Sequence, residues 1–208
     1  MDTVISLRPL LTVLVPMGAV PFLIAVRSPN IREMCTFAAA VAQFLLVLSM
    51  VPMVLHGGEF QLSLVEVVRR VPLAFRVDAL GMLFALVASS LWIITSAYSI
   101  GYMRGLGEHA QTRYFSFFAL ALSATIGVAF AANLLTLYLF YEMLSLATYP
   151  LVTHHQDDEA RASGRRYLIY ILGTSIGFVL PAMVICYNGA GTLTFSHGGF
   201  VSGHFSLQ

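Results

Sequence analysis

The chain has 208 residues, 58% of them hydrophobic and only 10% charged, with a net charge near +1. Soluble domains carry roughly 25% charged residues, so this composition excludes a water-soluble globule. With no basic patch it also excludes a nucleic-acid binder. All eleven basic residues are arginines. Cys35 and Cys186 stand alone in apolar surroundings, match no disulfide or metal-ligand spacing, and are expected as small buried hydrophobes.

The first 27 residues lack the basic start and small-residue cleavage site of a signal peptide, which points to a retained first helix. Pro9–Val26, Met34–Gly58, Ala79–Met103 and Tyr167–Gln208 contain no Asp, Glu, Lys or Arg, and Tyr114–Gln156 contains only Glu142. A spanning helix needs about 20 apolar residues. The first three spans therefore fall near Leu10–Val26, Cys35–Leu55 and Leu80–Ile100. Tyr114–Gln156 is too long for one helix and divides at Asn133 into Phe115–Ala132 and Leu134–Val152. The sixth span is Tyr167–Tyr187, followed by a Gly- and Ser-rich tail.

Backbone groups must pair internally in lipid, and these runs do not alternate, so helices are expected rather than a β-barrel. The predicted fold class is all-α: one polytopic membrane domain, residues 1–208, of six transmembrane helices. Between the second and third spans, Phe60–Val71 mixes Leu, Val, Glu and Arg and is expected as a short amphipathic helix in the interface. Gly173 and Gly177 make a small-xxx-small pair, expected to serve close helix packing.

Glu142 is the most informative residue. It sits ninth in a nineteen-residue span, near the bilayer midplane, where a charge costs several kcal/mol unless paired or hydrated. It must face the bundle interior or a wet cavity. Two readings stay open: a carboxyl that loads and releases a proton, or a structural acid held neutral by a hydrogen bond. Tyr138 lies one helical turn away and Tyr141 is adjacent, as relay groups or as packing. No span carries a cation to partner Glu142.

His154 and His155 end the fifth span before Asp157-Asp158-Glu159, either as proton-collecting groups or as an ordinary wet loop, with no metal-site spacing. Asp78 is expected to cap the third span or to pair with Arg76. Arg165 and Arg166, with Arg161, are expected to fix topology and meet lipid headgroups. The chain has no phosphate-binding loop, dinucleotide fingerprint or zinc-protease motif, and no nucleophile beside a base. No cofactor, metal or catalytic chemistry is assigned.

Several segments together resemble the proton-conducting membrane subunits of respiratory complex I and the Mrp-type sodium/proton antiporters, nearest the D-type member of the Mrp set. They are Arg27-Ser28-Pro29-Asn30-Ile31-Arg32-Glu33, Phe75-Arg76-Val77-Asp78-Ala79-Leu80-Gly81 and Tyr98-Ser99-Ile100-Gly101-Tyr102-Met103-Arg104. The longest runs from Asn133 through Tyr138 and Tyr141 to Glu142, continuing to Thr148-Tyr149-Pro150-Leu151-Val152. The resemblance implies a module of about fourteen helices built on two inverted five-helix repeats. In it the glutamate matching Glu142 pairs with a lysine on the seventh helix. That lysine and the second repeat are not among these residues, which leaves a truncated product, a split subunit needing a second chain, or an excerpt of a longer protein.

The function implied is a component of a proton-translocating membrane complex, first of all a monovalent cation/proton antiporter subunit with Glu142 as an intramembrane proton relay. The alternatives are a proton-pumping subunit of a complex I-like NADH-quinone oxidoreductase or hydrogenase, and a non-transporting scaffold. Expected partners are other integral membrane subunits, including one that supplies the missing helices, together with protons, sodium and membrane lipid. The expected location is a bacterial inner membrane. Arg8, Arg69, Arg70 and Arg76 fall on one side of the six spans, against seven arginines on the other. The positive-inside rule then sets both termini outside. Single cysteines at 107 and 160 should react with a membrane-impermeant thiol reagent only from the cytoplasmic side, and one at 62 from the outer side. The reverse pattern would overturn this orientation.

Overall fold

The computed structural model describes residues 3–196. Its elements are β1 (Thr3–Ile5), α1 (Arg8–Ala25), α2 (Pro29–Leu48), α3 (Val51–Leu55), β2 (Glu59–Val68), β3 (Val71–Val77), α4 (Ala79–Gly105), α5 (Gln111–Ala129), α6 (Leu134–Val152), α7 (Asp158–Thr174) and α8 (Leu180–Ala190). A π-helical turn, Ser175–Val179, joins α7 to α8 without a break. Among the described residues six helical stretches are long and apolar enough to cross a membrane: Arg8–Ala25, Pro29–Leu55, Ala79–Gly105, Gln111–Ala129, Leu134–Val152 and Asp158–Ala190. The molecule is a mostly helical membrane bundle. The sixth helix starts at Asp158, ahead of its expected edge, because the Asp157 carboxylate accepts from the Ala160 amide at 2.6 Å and caps it.

Phe60–Val71 is not an amphipathic helix. It forms most of a β-hairpin, with β2 antiparallel to β3 and β1 added in parallel on the other edge, giving the order β1-β2-β3. The reason lies in the period. Phe60 and Leu62 are buried while Gln61 and Ser63 are exposed, the alternation of a half-buried strand. The β-branched Val65, Val67, Val68 and Val71 favour the same conformation. Phe60 pairs with Val77 and Leu62 with Phe75. Leu62 is therefore a poor labelling position, and exposed Gln61 serves instead.

The sheet gathers every connection at one end of the bundle. The α5–α6 junction lies along β3, where the Arg76 amide donates to the Phe130 carbonyl at 2.7 Å and the Ala132 amide to the Ala74 carbonyl at 3.0 Å. The segment after α8 returns to the same place, with the Leu134 amide on the Leu193 carbonyl at 3.0 Å. Asn133 is the hub. Its Oδ1 accepts from the Thr136 amide at 2.8 Å as N-cap of α6, and its Nδ2 donates to the Pro72 carbonyl at 2.7 Å. Arg8, Arg69, Arg70 and Arg76 belong to this sheet end.

α1 lies against α2 and α5. Pro16 cannot donate to the Thr12 carbonyl one turn earlier, and the Gln43 side chain of α2 donates to that carbonyl at 3.1 Å. Ser123 of α5 donates to the neighbouring Val13 carbonyl at 2.7 Å. Cys35 and Cys186 are half-buried rather than buried. Among the described residues nothing packs against Gly173 and Gly177. A Cβ added at either glycine would meet nothing within 4 Å.

Asn133→Ala removes a cap and the hydrogen bond to the part-buried Pro72 carbonyl, and should destabilise the bundle by about 1–2 kcal/mol. Asn133→Ser keeps an acceptor for the Thr136 amide and should fall between Ala and wild type. Unfolding of the purified chain in detergent micelles measures the order.

Candidate functional site

The site is built on α6. Asn133 sets where this helix begins, and Gly127 sets how closely it lies to α5, since a Cβ there would collide with the Phe140 ring. On its other side Phe140 meets Phe75 of the hairpin, with ring centroids 5.5 Å apart. These contacts anchor the first half of α6 and carry Glu142, two residues further on, into a half-buried position. Its Oε1 is enclosed and has no hydrogen-bond partner. Among the described residues Glu142 makes no ion pair.

The two tyrosines differ. Tyr138 is half-buried, and its hydroxyl neighbours both the Glu142 carboxyl and Ser175, where the π-helical turn begins. Tyr141 is 36% exposed. Only its backbone carbonyl is engaged, accepting from the Ser145 hydroxyl at 3.0 Å. Tyr138 is thus brought to the carboxyl, while Tyr141 faces outward. Further along, Thr148 and Tyr167 share a hydrogen bond of 2.6 Å that joins α6 to α7.

His154 does not reach this carboxyl. Glu142 is followed by ten further residues of α6, about 15 Å of helix, before the turn that holds His154. The opposite end of the bundle, rich in arginines, is held by polar clamps. Arg32 is buried and donates to Thr112 Oγ1 at 3.0 Å and to Gln111 Oε1 at 2.7 Å. Arg104 at the end of α4 is ion-paired with buried Glu33 and also donates to Asn30. The sequence segment from Arg27 to Glu33 is therefore the strap that ties α2 to α4 and α5. Arg113 donates to the His154 backbone carbonyl, and both ring nitrogens of His154 are enclosed without partners. Burial, then the Arg113 charge and the His109 ring, hold this imidazole below the usual histidine range, against the opposing pull of Glu108. The ring is a neutral base at pH 7.

Of the remaining residues singled out by sequence, Asp78 caps α4, its Oδ1 accepting from the Gly81 amide at 2.7 Å. Arg76 donates to the Phe195 carbonyl at 2.9 Å, away from Asp78. Arg165 lines a cleft of about 460 Å³ with Arg113, Arg161, Tyr149 and Thr153, and Arg166 is exposed. Sequence reading missed Glu108 and His109. They lie far from His154 in the chain, yet the α4–α5 turn brings them beside it.

Two family models match this chain. Residues 131–199 match "NADH:quinone oxidoreductase/Mrp antiporter, TM", and residues 68–115 match "NADH-Ubiquinone oxidoreductase (complex I), chain 5 N-terminus". The first covers all of α6 with Glu142. The D-type component of a probable K(+)/H(+) antiporter from Rhizobium meliloti is 26% identical over 194 residues, 90% of this chain and 35% of its own length. NADH-quinone oxidoreductase subunit N of Halorhodospira halophila is 33% identical over 141 residues, 64% of this chain and 27% of its own. A chain of the archaeal membrane-bound sulfane sulfur reductase, a respiratory membrane complex, has the same fold with a TM-score of 0.73 at 18% identity, covering 91% of this chain and 39% of that one. The chain spans about a third or less of the two curated relatives.

Proposed function

Because the chain belongs to the membrane-subunit family shared by NADH:quinone oxidoreductase and the Mrp antiporters, we propose that it works inside a membrane complex coupling proton movement to exchange of a monovalent cation, with Glu142 as the proton relay. The observation that carries this reading is the Glu142 carboxyl: mid-helix, half-buried, with one oxygen enclosed and unpartnered. A purely structural acid in that place would have both oxygens engaged, whereas here only one lies beside the Tyr138 hydroxyl. A relay must instead keep a lone pair open for an arriving proton and change charge without unlocking the fold. Tyr138, between Glu142 and Ser175, is the next hydroxyl along such a path. His154 collects protons at the arginine-rich end, which faces the cytoplasm of a bacterial cell by its excess of positive charge.

A pumping subunit of a redox-driven complex is the second reading, favoured by the 33% identity to subunit N. Both share the Glu142 step. Further helices, from another chain or elsewhere in the same polypeptide, would cover α7 and α8, where Ile169 and Phe178 are 69% and 74% exposed beside the open glycine pair. They would also bring the cation that Glu142 lacks.

Glu142→Gln preserves size and some hydrogen bonding but cannot titrate. It should assemble normally and lower proton flux in membrane vesicles by about tenfold or more, the scale of a lost proton-transfer group. Glu142→Asp should keep part of the flux. Wild-type flux in the Gln variant, normalised to assembled complex, would remove the relay role. The isolated chain, though folded in micelles, should be inactive and less stable than within a larger membrane assembly. A monodisperse single-chain preparation with full transport would refute that dependence.

A further inference from the structure

We propose that Glu108, His109 and His154 form a binding site for one zinc-type divalent cation at the arginine-rich end of the bundle, with His155 or water as fourth ligand. The Glu108 carboxylate lies 3.7 Å from His109 Nδ1 and 3.8 Å from His154 Nε2, and one donor atom from each of the three residues falls within 4.8 Å of the others. These spacings are too long for hydrogen bonds and slightly wider than the roughly 3.3 Å between ligand atoms in a tetrahedral zinc site. The His155 ring stands 5.9 Å from that of His154 and 6.0 Å from that of His109, centroid to centroid. Two imidazoles and a carboxylate are a donor set suited to zinc.

Three further observations point to a ligand. Both ring nitrogens of His154 are enclosed without a partner, and buried polar atoms in that state are rare. The turn that presents Glu108 and His109 is braced from behind. The Glu108 amide donates to the Met103 carbonyl at 3.0 Å, and the Gln111 side chain donates to the Met103 and Glu108 carbonyls at 3.3 and 3.1 Å. The adverse charge nearby, Arg113, spends its hydrogen bond on the His154 carbonyl and leaves the ring free. A bound ion would bridge the α4–α5 turn to the end of α6 and would occupy the His154 nitrogen that otherwise accepts a proton.

The test is a Co²⁺ titration of the full chain, tag-free, in detergent micelles. One equivalent should raise the visible absorption bands of a tetrahedral site, Zn²⁺ should bleach them, and Mg²⁺ should leave them unchanged. His109 is largely exposed, and the Arg113 contact to residue 154 uses the backbone, so His109→Ala and His154→Ala should retain the wild-type circular dichroism. Each should weaken Co²⁺ binding by about tenfold or more, whereas His56→Ala at the sheet end should not. Absence of a saturable one-equivalent signal in the wild type, or equal affinity in correctly folded His109→Ala, would overturn the proposal.

Discussion

The whole arrangement depends on how one reversal of the chain satisfies its backbone. Between Ala129 and Leu134 the polypeptide leaves one helix and starts another within four residues, at the edge of an apolar slab where unpaired amides are costly. The hairpin solves this by offering β3 as a template. The reversal pairs with it as a strand would, and Asn133 closes both the new helix and the link to Pro72. Because the chain after α8 hydrogen-bonds to the same junction, three of the connections share one sheet. The helices are thereby fixed in depth relative to one another.

That fixed depth gives the Glu142 carboxyl its chemistry. A carboxyl at the middle of a free helix would rotate or slide toward water. Here close contact at Gly127 and the Phe75–Phe140 ring pair prevent both motions. The opposite end uses charge in place of backbone pairing. Glu33 and Arg32 are buried only because Arg104, Gln111 and Thr112 meet them, and an ionised group left alone there would cost far more than the pair returns.

Much of this was legible in the sequence. Charge-free runs announce lipid-facing helices without any need for packing detail, and a lone Glu142 in such a run marks itself. The Asn133 division and the Asp78 cap follow from local hydrogen-bonding chemistry. The hairpin was less legible, since Glu66, Arg69 and Arg70 interrupt the alternation that Phe60 and Leu62 begin, and its outer half has no buried face to impose a period. The outward turn of Tyr141, the split roles of Arg76 and Asp78, and the meeting of His109 with His154 are tertiary facts. They depend on which helices become neighbours, and no spacing along one helix encodes them. The glycine pair is legible only in part for a related reason: small residues permit an approach but do not supply the helix that makes it.

The π-helical turn at Ser175–Val179 gives the last span two separate identities. One residue more per turn advances every later side chain by about 100° around the axis. Met183 and Tyr187 accordingly swing inward, Met183 joining Leu135 and Val71 in a small core and the Tyr187 hydroxyl donating to the Arg69 carbonyl at 3.0 Å. Ile169, Tyr170 and the glycine pair, before and within the turn, stay outside. A single rod thus acts as a bolt at one end and as an open flank at the other, so whatever leans on the flank can twist it without drawing the bolt.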